Sequence, residues 1–494
     1  MTVLFSTAFP LLTGFLLMNW LGPWTGPPGE KALPKLLLGA GLGVAASSCL
    51  TFAGLFFLPM GNTWQFLLEG VVAGVLLIVV VGISRRRGTP LWRGGSENSA
   101  GEGIGLPRAA VYAALLLATG LAAASFWHIS SARPHGNWDA WAIWNMRARF
   151  LFRDSEHWRN AFSPLLSWSH PDYPLLVPAS VARIWRYMGG ESTLGPSLLA
   201  GAFTFGAVVV LVLSLDDLVG RPQGALAGLF LLSSSSFVRH GASQYADVPL
   251  GFYILLANVF LRMSADGERK YGTAALAGMS AGFAAWTKNE GMLFLVAIAV
   301  SMAIPLVFSR ARKAGFQRIA GFGAGLAPVA AVIAVFKTGL ALPSEMLLAQ
   351  GTATLWGKLS DWERYGTVLR NLAGEFGSGY PMILLLAAYA FLAGVGASKE
   401  RRIGVLEVFS GLMVMLLGYI MVYVTTPHSL QWQLDNSLGR LLTHLWPSFV
   451  FACFLALNPP FPRDAGVPAT GRAEVLRGRE SRWKGKAPRA GRSR

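Results

Sequence analysis

Five ionisable residues stand where so apolar a chain keeps little charge: Asp139, Asp247, Lys288, Glu290 and Arg440. Asp139 lies between Trp138 and Ala140 in WDAWAIWNMRARF. A carboxylate near lipid is costly and tends to mark a site, where it can take a proton from a hydroxyl. It equally suits the cap of a helix beginning near Ala140. Asp247 precedes Val248 and Pro249, so a helix N-cap competes with a functional reading. Lys288 and Glu290 flank Asn289 in WTKNEG, a turn that could simply be exposed. Arg440, in GRLLTHLWP, can hold an anion or snorkel to water. Each is an even choice alone. All map to the same ends of the apolar stretches, which argues for one shared polar pocket.

The elements that must position them are membrane helices. The chain has 494 residues, 53% hydrophobic and 14% charged, with mean hydropathy +0.46. Soluble domains carry about 25% charged residues, so a string of soluble domains and a disordered chain are both excluded. Thirteen apolar stretches read as spans: 2–22, 36–59, 64–83, 109–129, 193–215, 224–238, 248–264, 272–287, 290–308, 319–341, 381–397, 403–424 and 441–458. The fold class is therefore an all-α polytopic membrane protein. Residues 2–22 lack a positive leader and a cleavage site and count as a span.

The net charge of +17 would suggest nucleic acid in a soluble protein. Sorted by span, 28 of the 42 Lys and Arg residues fall on one side if the C-terminus is cytoplasmic. That is the positive-inside pattern, so the charge orients the chain and no nucleic-acid partner is expected. The five charged candidates then sit at the extracytoplasmic ends. The basic segment 459–494 reads as a disordered cytoplasmic tail touching anionic lipid.

Between the fourth and fifth spans lies a long outer loop, 130–192, and seven of the 17 Trp residues cluster in it or at its edge. Trp favours the membrane–water interface. Trp138, Trp141 and Trp144 recur at three-residue spacing and predict one side of a helix. Residues 174–188, with Arg183 and Arg186 beside apolar positions, predict a second amphipathic helix along the outer face. An aromatic belt that only anchors the chain is the competing reading.

All seven His residues fall near the outer ends, yet no HxxxH or HExxH spacing favours a metal. Cys49 and Cys453 form no disulfide framework. GFGAG at 321–325 lies within a span and lacks the strand–helix setting of a dinucleotide fingerprint, so close helix packing explains it better. Glu69 and Glu407 lie near span ends and read as interfacial.

WDAWAIWNMRARF, HPDYPLLVPASVARIWRYMGG, YADVPL, WTKNEG and RLLTHLWP together resemble the polytopic membrane glycosyltransferases of the GT-C superfamily. The branches they look most like are the lipid A aminoarabinose transferases and the protein O-mannosyltransferases, of glycosyltransferase family 39 type. The resemblance spans about residues 109–458, the catalytic membrane domain. Residues 1–108 look like an added three-span module. The resemblance implies a GT-C-like core of about 13 helices with interfacial helices in the loop. It implies a sugar donor on a polyprenyl phosphate, a lipid, glycan or protein acceptor, and an active site on the extracytoplasmic side of the plasma membrane, serving the cell envelope. Asp139 matches the family's general base, Asp247 its second acidic position and Lys288 its turn lysine. Arg440 is a looser match to a phosphate-binding cation. Where relatives often carry a Lys, this chain has His170, followed by Pro171, Asp172 and Tyr173, which leaves His170 as a candidate phosphate contact. Trp138, Trp141, Asp172, Tyr173 and Glu290 would line the substrate pocket.

No cofactor is required by this reading. A divalent metal, Mg or Mn, could be shared by Asp139 and Asp247 if the chain brings them together. Two other functions compete. A transporter would need polar residues deep in its spans. A lipid-linked glycan ligase would move a whole glycan rather than one sugar.

Overall fold

The computed structural model describes residues 2–24, 31–57, 62–88, 106–153, 156–266, 269–308, 312–343, 352–379, 382–396 and 398–460. The basic loop at 89–105 and the tail from 461 onward lie outside the described residues. Among the described residues 86% are helical and none forms a strand.

In chain order the helices are α1 (Thr2–Leu21), α2 (Ala32–Phe57), α3 (Asn62–Arg86), α4 (Leu106–Ala132), α5 (Asn145–Arg153), α6 (Leu176–Met188), α7 (Leu194–Leu218), α8 (Gln223–Leu232) and α9 (Ser235–Ala242). They continue with α10 (Asp247–Asp266), α11 (Lys270–Thr287), α12 (Glu290–Phe308), α13 (Arg312–Gly339), α14 (Thr352–Leu359), α15 (Trp362–Gly379), α16 (Met382–Ala393), α17 (Lys399–Thr425) and α18 (Leu430–Ala456). Ten are long and apolar enough to cross a membrane: α1–α4, α7, α10, α12, α13, α17 and α18.

Three of the expected spans differ from that set. Stretch 224–238 is split into α8 and the start of α9, because Ser234 leaves helical geometry and caps α9 by accepting from the Phe237 amide. Stretch 381–397 yields the 12-residue α16. Stretch 272–287 forms α11, whose many Ala and Gly side chains add little hydropathy and whose surface is almost wholly covered by α10 and α13. Here GFGAG has its explanation. A Cβ on Gly325 would stand 1.9 Å from the Ala275 carbonyl oxygen of α11, so glycine alone permits this approach of the two backbones.

Helix α10 is the axis of the bundle, with 94% of its span buried. It packs on α7, α11 and α18. Helices α1–α3 are joined to the rest through α6, α7 and α11.

The outer loop departs from its expected layout twice. Residues Ala140–Trp144 wind as a π-turn. Its wider winding spreads a three-residue repeat around the axis: Trp138 and Trp141 are exposed while Trp144 is fully buried. The second departure is α6. It ends at Gly189, which adopts the left-handed conformation (φ 76°). Both of its arginines are buried, because α1, α2 and α5 pack over it.

That burial creates an ion pair the sequence reading missed. Arg183 donates to Glu69 of α3 at 2.5 and 2.7 Å and to the Ser6 carbonyl of α1 at 2.7 Å. Tyr187 and Gln65 donate to the same carboxylate at 3.0 and 2.6 Å. Glu69 is thus a buried hub rather than an interfacial residue. Glu407 is likewise buried against Arg318, at 2.7 Å.

Candidate functional site

Asp247 begins α10 and is completely buried. Its Oδ1 receives the Lys288 ammonium at 2.9 Å and faces His444 Nε2 at 2.7 Å. Its Oδ2 accepts from Arg440 Nε at 3.1 Å. Arg440 then reaches Asp139, its Nη2 2.5 Å from Oδ2. Lys288 also lies 3.0 Å from Glu290 Oε1. Asp139, Asp247, Lys288, Glu290 and Arg440, drawn from four separate segments, therefore form one connected network.

Local structure explains how. Lys288 and Glu290 face one another because the α11–α12 connection is a tight turn, with the Gly291 amide bonded to the Lys288 carbonyl at 3.0 Å. Arg440 and His444 are one helical turn apart on α18 and share a face. Asp139 stands at the N-cap of the π-turn but makes no side-chain cap bond, so the capping reading gives way to the Arg440 pair. Asp247 is spoken for by cations and an imidazole on both oxygens.

The network grades from dry to wet. The Asp247 side chain has no exposure and Lys288 4%, whereas Asp139 has 15%, Glu290 20% and Arg440 22%. Asp139, Glu290 and Arg440 are therefore the groups a ligand can reach. Burial alone would push the Lys288 ammonium down; the Asp247 and Glu290 carboxylates outweigh it and hold the amine above its ordinary range. Tyr245, whose ring lies 4.6 Å under the Arg440 guanidinium, has its phenol pushed up by burial and then by Asp139.

Asp172 and Tyr173 are brought beside this network by the outer loop. Asn289 donates to Asp172 Oδ2 at 2.5 Å. Lys337 of α13 bonds the Asp172 carbonyl at 2.7 Å and Asn289 Oδ1 at 2.6 Å. The Tyr173 ring stacks on Trp144 with centroids 5.6 Å apart, and the Lys288 amine lies 5.8 Å from its centroid. Fully buried Arg147 ties the segment down, donating to the carbonyls of Ser169, His170 and Tyr173.

Three expected site residues stand apart. The His170 backbone is left-handed (φ 53°), and its exposed ring lies against Tyr173, not among the charges. Trp138 and Trp141 pair with each other at 4.5 Å and stay exposed, 61% and 42%, because the π-turn directs them away from the buried cluster. Sequence reasoning passed over His444, Tyr245, Arg147 and Lys337. The signal for Lys337 was present, a lone cation near the end of an apolar stretch.

Between the carboxylates of Asp139 and Asp247 sits the Arg440 guanidinium, where a shared divalent ion would have to be. Among the described residues no group of three or more His, Cys, Asp or Glu side chains is arranged to hold a metal. These residues do not fit a metal centre.

Fold and site define an all-helical, multi-pass membrane protein with a buried ionic network at one end of its bundle. Compared with protein-family models, curated proteins and solved structures, the chain matches none.

Proposed function

We propose that this chain is a membrane glycosyltransferase that moves one sugar from a polyprenyl-phosphate donor to an acceptor hydroxyl, on the extracytoplasmic side of the plasma membrane. The observation that carries the reading is the Arg440 bridge, which ties a partly open carboxylate, Asp139, to a buried cation–carboxylate cluster beneath the outer loop. Asp247 and Lys288 are buried and three further charged groups adjoin them, an arrangement that is costly unless every charge is paired, and ionisable groups set among membrane helices are functional-site candidates by default.

The roles follow from the chemistry. The acceptor oxygen attacks the anomeric carbon, its proton passes to Asp139, and the carbon–oxygen bond to phosphate breaks with the electron pair leaving on the polyprenyl phosphate. Attack opposite the leaving group inverts the anomeric centre. Charge builds on the phosphate, so the partly exposed Arg440 is aimed where it develops, and Lys288 adds positive potential from behind it. A phosphate arriving at Arg440 competes with Asp139 for the guanidinium and frees the carboxylate to act as base. Asp247 holds both cations in place. The cation-rich opposite end supports a cytoplasmic C-terminus.

The test uses purified protein with a labelled polyprenyl-phosphate sugar and measures release of polyprenyl phosphate together with label on the acceptor. Asp139→Asn is expected to lower turnover about 10²–10⁴-fold while expression and melting stay unchanged. Near-normal turnover refutes the assignment. Solute flux without phosphate release means a transporter, and transfer of an intact glycan means a ligase.

A further inference from the structure

A polar cavity lies at the end of the bundle away from the Asp139 network. On α10, Arg262 lies 15 residues after Asp247, about 22 Å along the helix axis. Arg262 there lines a cavity of about 700 Å³. Its wall includes Lys270 at the start of α11, Glu400 and Arg401 at the start of α17, Leu455 at the end of α18 and Pro459 just beyond it. Three cations thus face one carboxylate.

The cavity is built, not a chance crevice. Arg401 is fixed in its wall by donating to the carbonyls of Leu455 and Leu457, which end α18 without helical partners. Val395 and Leu457 pair as a short antiparallel bridge beside it. Arg262 is 6% exposed and packs close to Gly404. A buried guanidinium, a fixed one and an ammonium converging on one space form an anion receptor.

The depth of the cavity identifies the source of the anion. Tyr271, next to Lys270, is 51% exposed, and Trp20, at the adjoining end of α1, is 40% exposed. Half-exposed Tyr and Trp mark the headgroup level of a bilayer. Polar walls at headgroup level with apolar Leu455 and Pro459 alongside suit a charged head carried on a lipid. Basic pockets between membrane helices take phosphate headgroups for this reason.

We propose that the cavity lined by Arg262, Lys270 and Arg401 binds the phosphate headgroup of an anionic membrane lipid. The site is separate from the Asp139 network and does not depend on the transfer reaction. Free phosphate shares the recognised chemistry, and the test separates the two sources.

The full-length protein in uncharged detergent is titrated with a diacyl phosphatidylglycerol, a phosphatidylcholine of the same chains, and inorganic phosphate. Bound lipid is counted by native mass spectrometry and phosphate by its protection against heat. Phosphatidylglycerol is expected to be retained about tenfold better than phosphatidylcholine. Each basic charge near the surface is worth about fivefold, so Lys270→Glu is expected to weaken phosphatidylglycerol binding by tenfold or more and Glu400→Gln to strengthen it about fivefold. Equal retention of the two lipids, or an unchanged affinity in both variants, overturns the proposal. Binding of inorganic phosphate alone, lost in Lys270→Glu, overturns the lipid source and keeps an anion site. Should Lys270→Glu misfold, Glu400→Gln decides alone, and no gain there is refutation.

Discussion

Arg147 is the most economical handle on the outer loop. Its guanidinium is fully buried and donates to the carbonyls of Ser169, His170 and Tyr173. Arg147→Met keeps the length and apolar packing of the side chain but removes every donor. Leaving a buried acceptor unsatisfied costs about 1–3 kcal/mol. With water reaching some of the freed carbonyls, the local cost is about 3–5 kcal/mol. The segment carries Asp172 and Tyr173 against the α11–α12 turn, so its loosening is felt there. Hydrogen–deuterium exchange of the protein in detergent reads this directly. Amides around 169–173 are expected to exchange at least 10²-fold faster, since each 1.4 kcal/mol lost from local opening is about tenfold. Exchange within α10 should stay as in the wild type. Arg147→Lys recovers little, because one ammonium cannot span carbonyls that the planar guanidinium reaches together. Unchanged protection at 169–173 in Arg147→Met would refute the claim that this side chain holds the loop.

Three further outcomes are expected. Glu69→Met and Arg183→Met each strand a buried charge and should cost about 3–5 kcal/mol, yet the double substitution should cost well under the sum; strictly additive melting shifts would show that the pair is not coupled. Gly325→Ala should destabilise by about 1–3 kcal/mol, since its Cβ would collide with the Ala275 carbonyl, whereas Gly323→Ala, with nothing within 4 Å, should be neutral or stabilising; matching melting temperatures would count against the α11–α13 contact. His240 on α9 has its pKa lowered, first by burial, against the partly offsetting carboxylate of Asp247. The unfolded chain therefore binds the proton more readily, so the contribution of His240 is whole above about pH 6.5 and is lost as pH falls through the lowered value; a stability–pH profile unaltered below pH 6.5 in His240→Gln would contradict this.

The parts of the fold that depend on runs of residues were legible. Long apolar stretches became helices because a helix satisfies its own backbone wherever it lies. The boundary at 224–238 was broken by a single residue, Ser234 as a cap, whereas stretch 272–287 has the expected bounds and differs only in its low hydropathy. The convergence of Asp139, Asp247, Lys288, Glu290 and Arg440 could be anticipated from their shared position at helix ends. Which of them touch could not, because Arg440 bridges segments 301 and 193 residues away. His444 is only one of seven His near the outer ends in sequence, and the face it shares with Arg440 on α18 reveals its place beside Asp247. Arg183 and Arg186 read as the polar side of a surface helix, and Arg147 carried no signal of its own. Their burial follows from the helices packed above them, which no local pattern records.

The hub at Glu69 sets a problem of timing during synthesis. Glu69 sits in an apolar helix that must be delivered to the membrane early, and its partner Arg183 lies 114 residues later in the chain. At about 5–20 residues per second, the ribosome takes roughly 6–23 s to make the residue that completes the pair. Through that interval α3 carries an uncompensated carboxylate with only Gln65, on its own preceding turn, as a donor from the same helix. Until α6 is in place, that carboxylate must stay near water or take up a proton, since an ionised carboxylate at membrane depth is costly. The ion pair can close only after residues 176–188 have been made, so the packing of α1–α3 against α6 is completed long after α3 itself is synthesised.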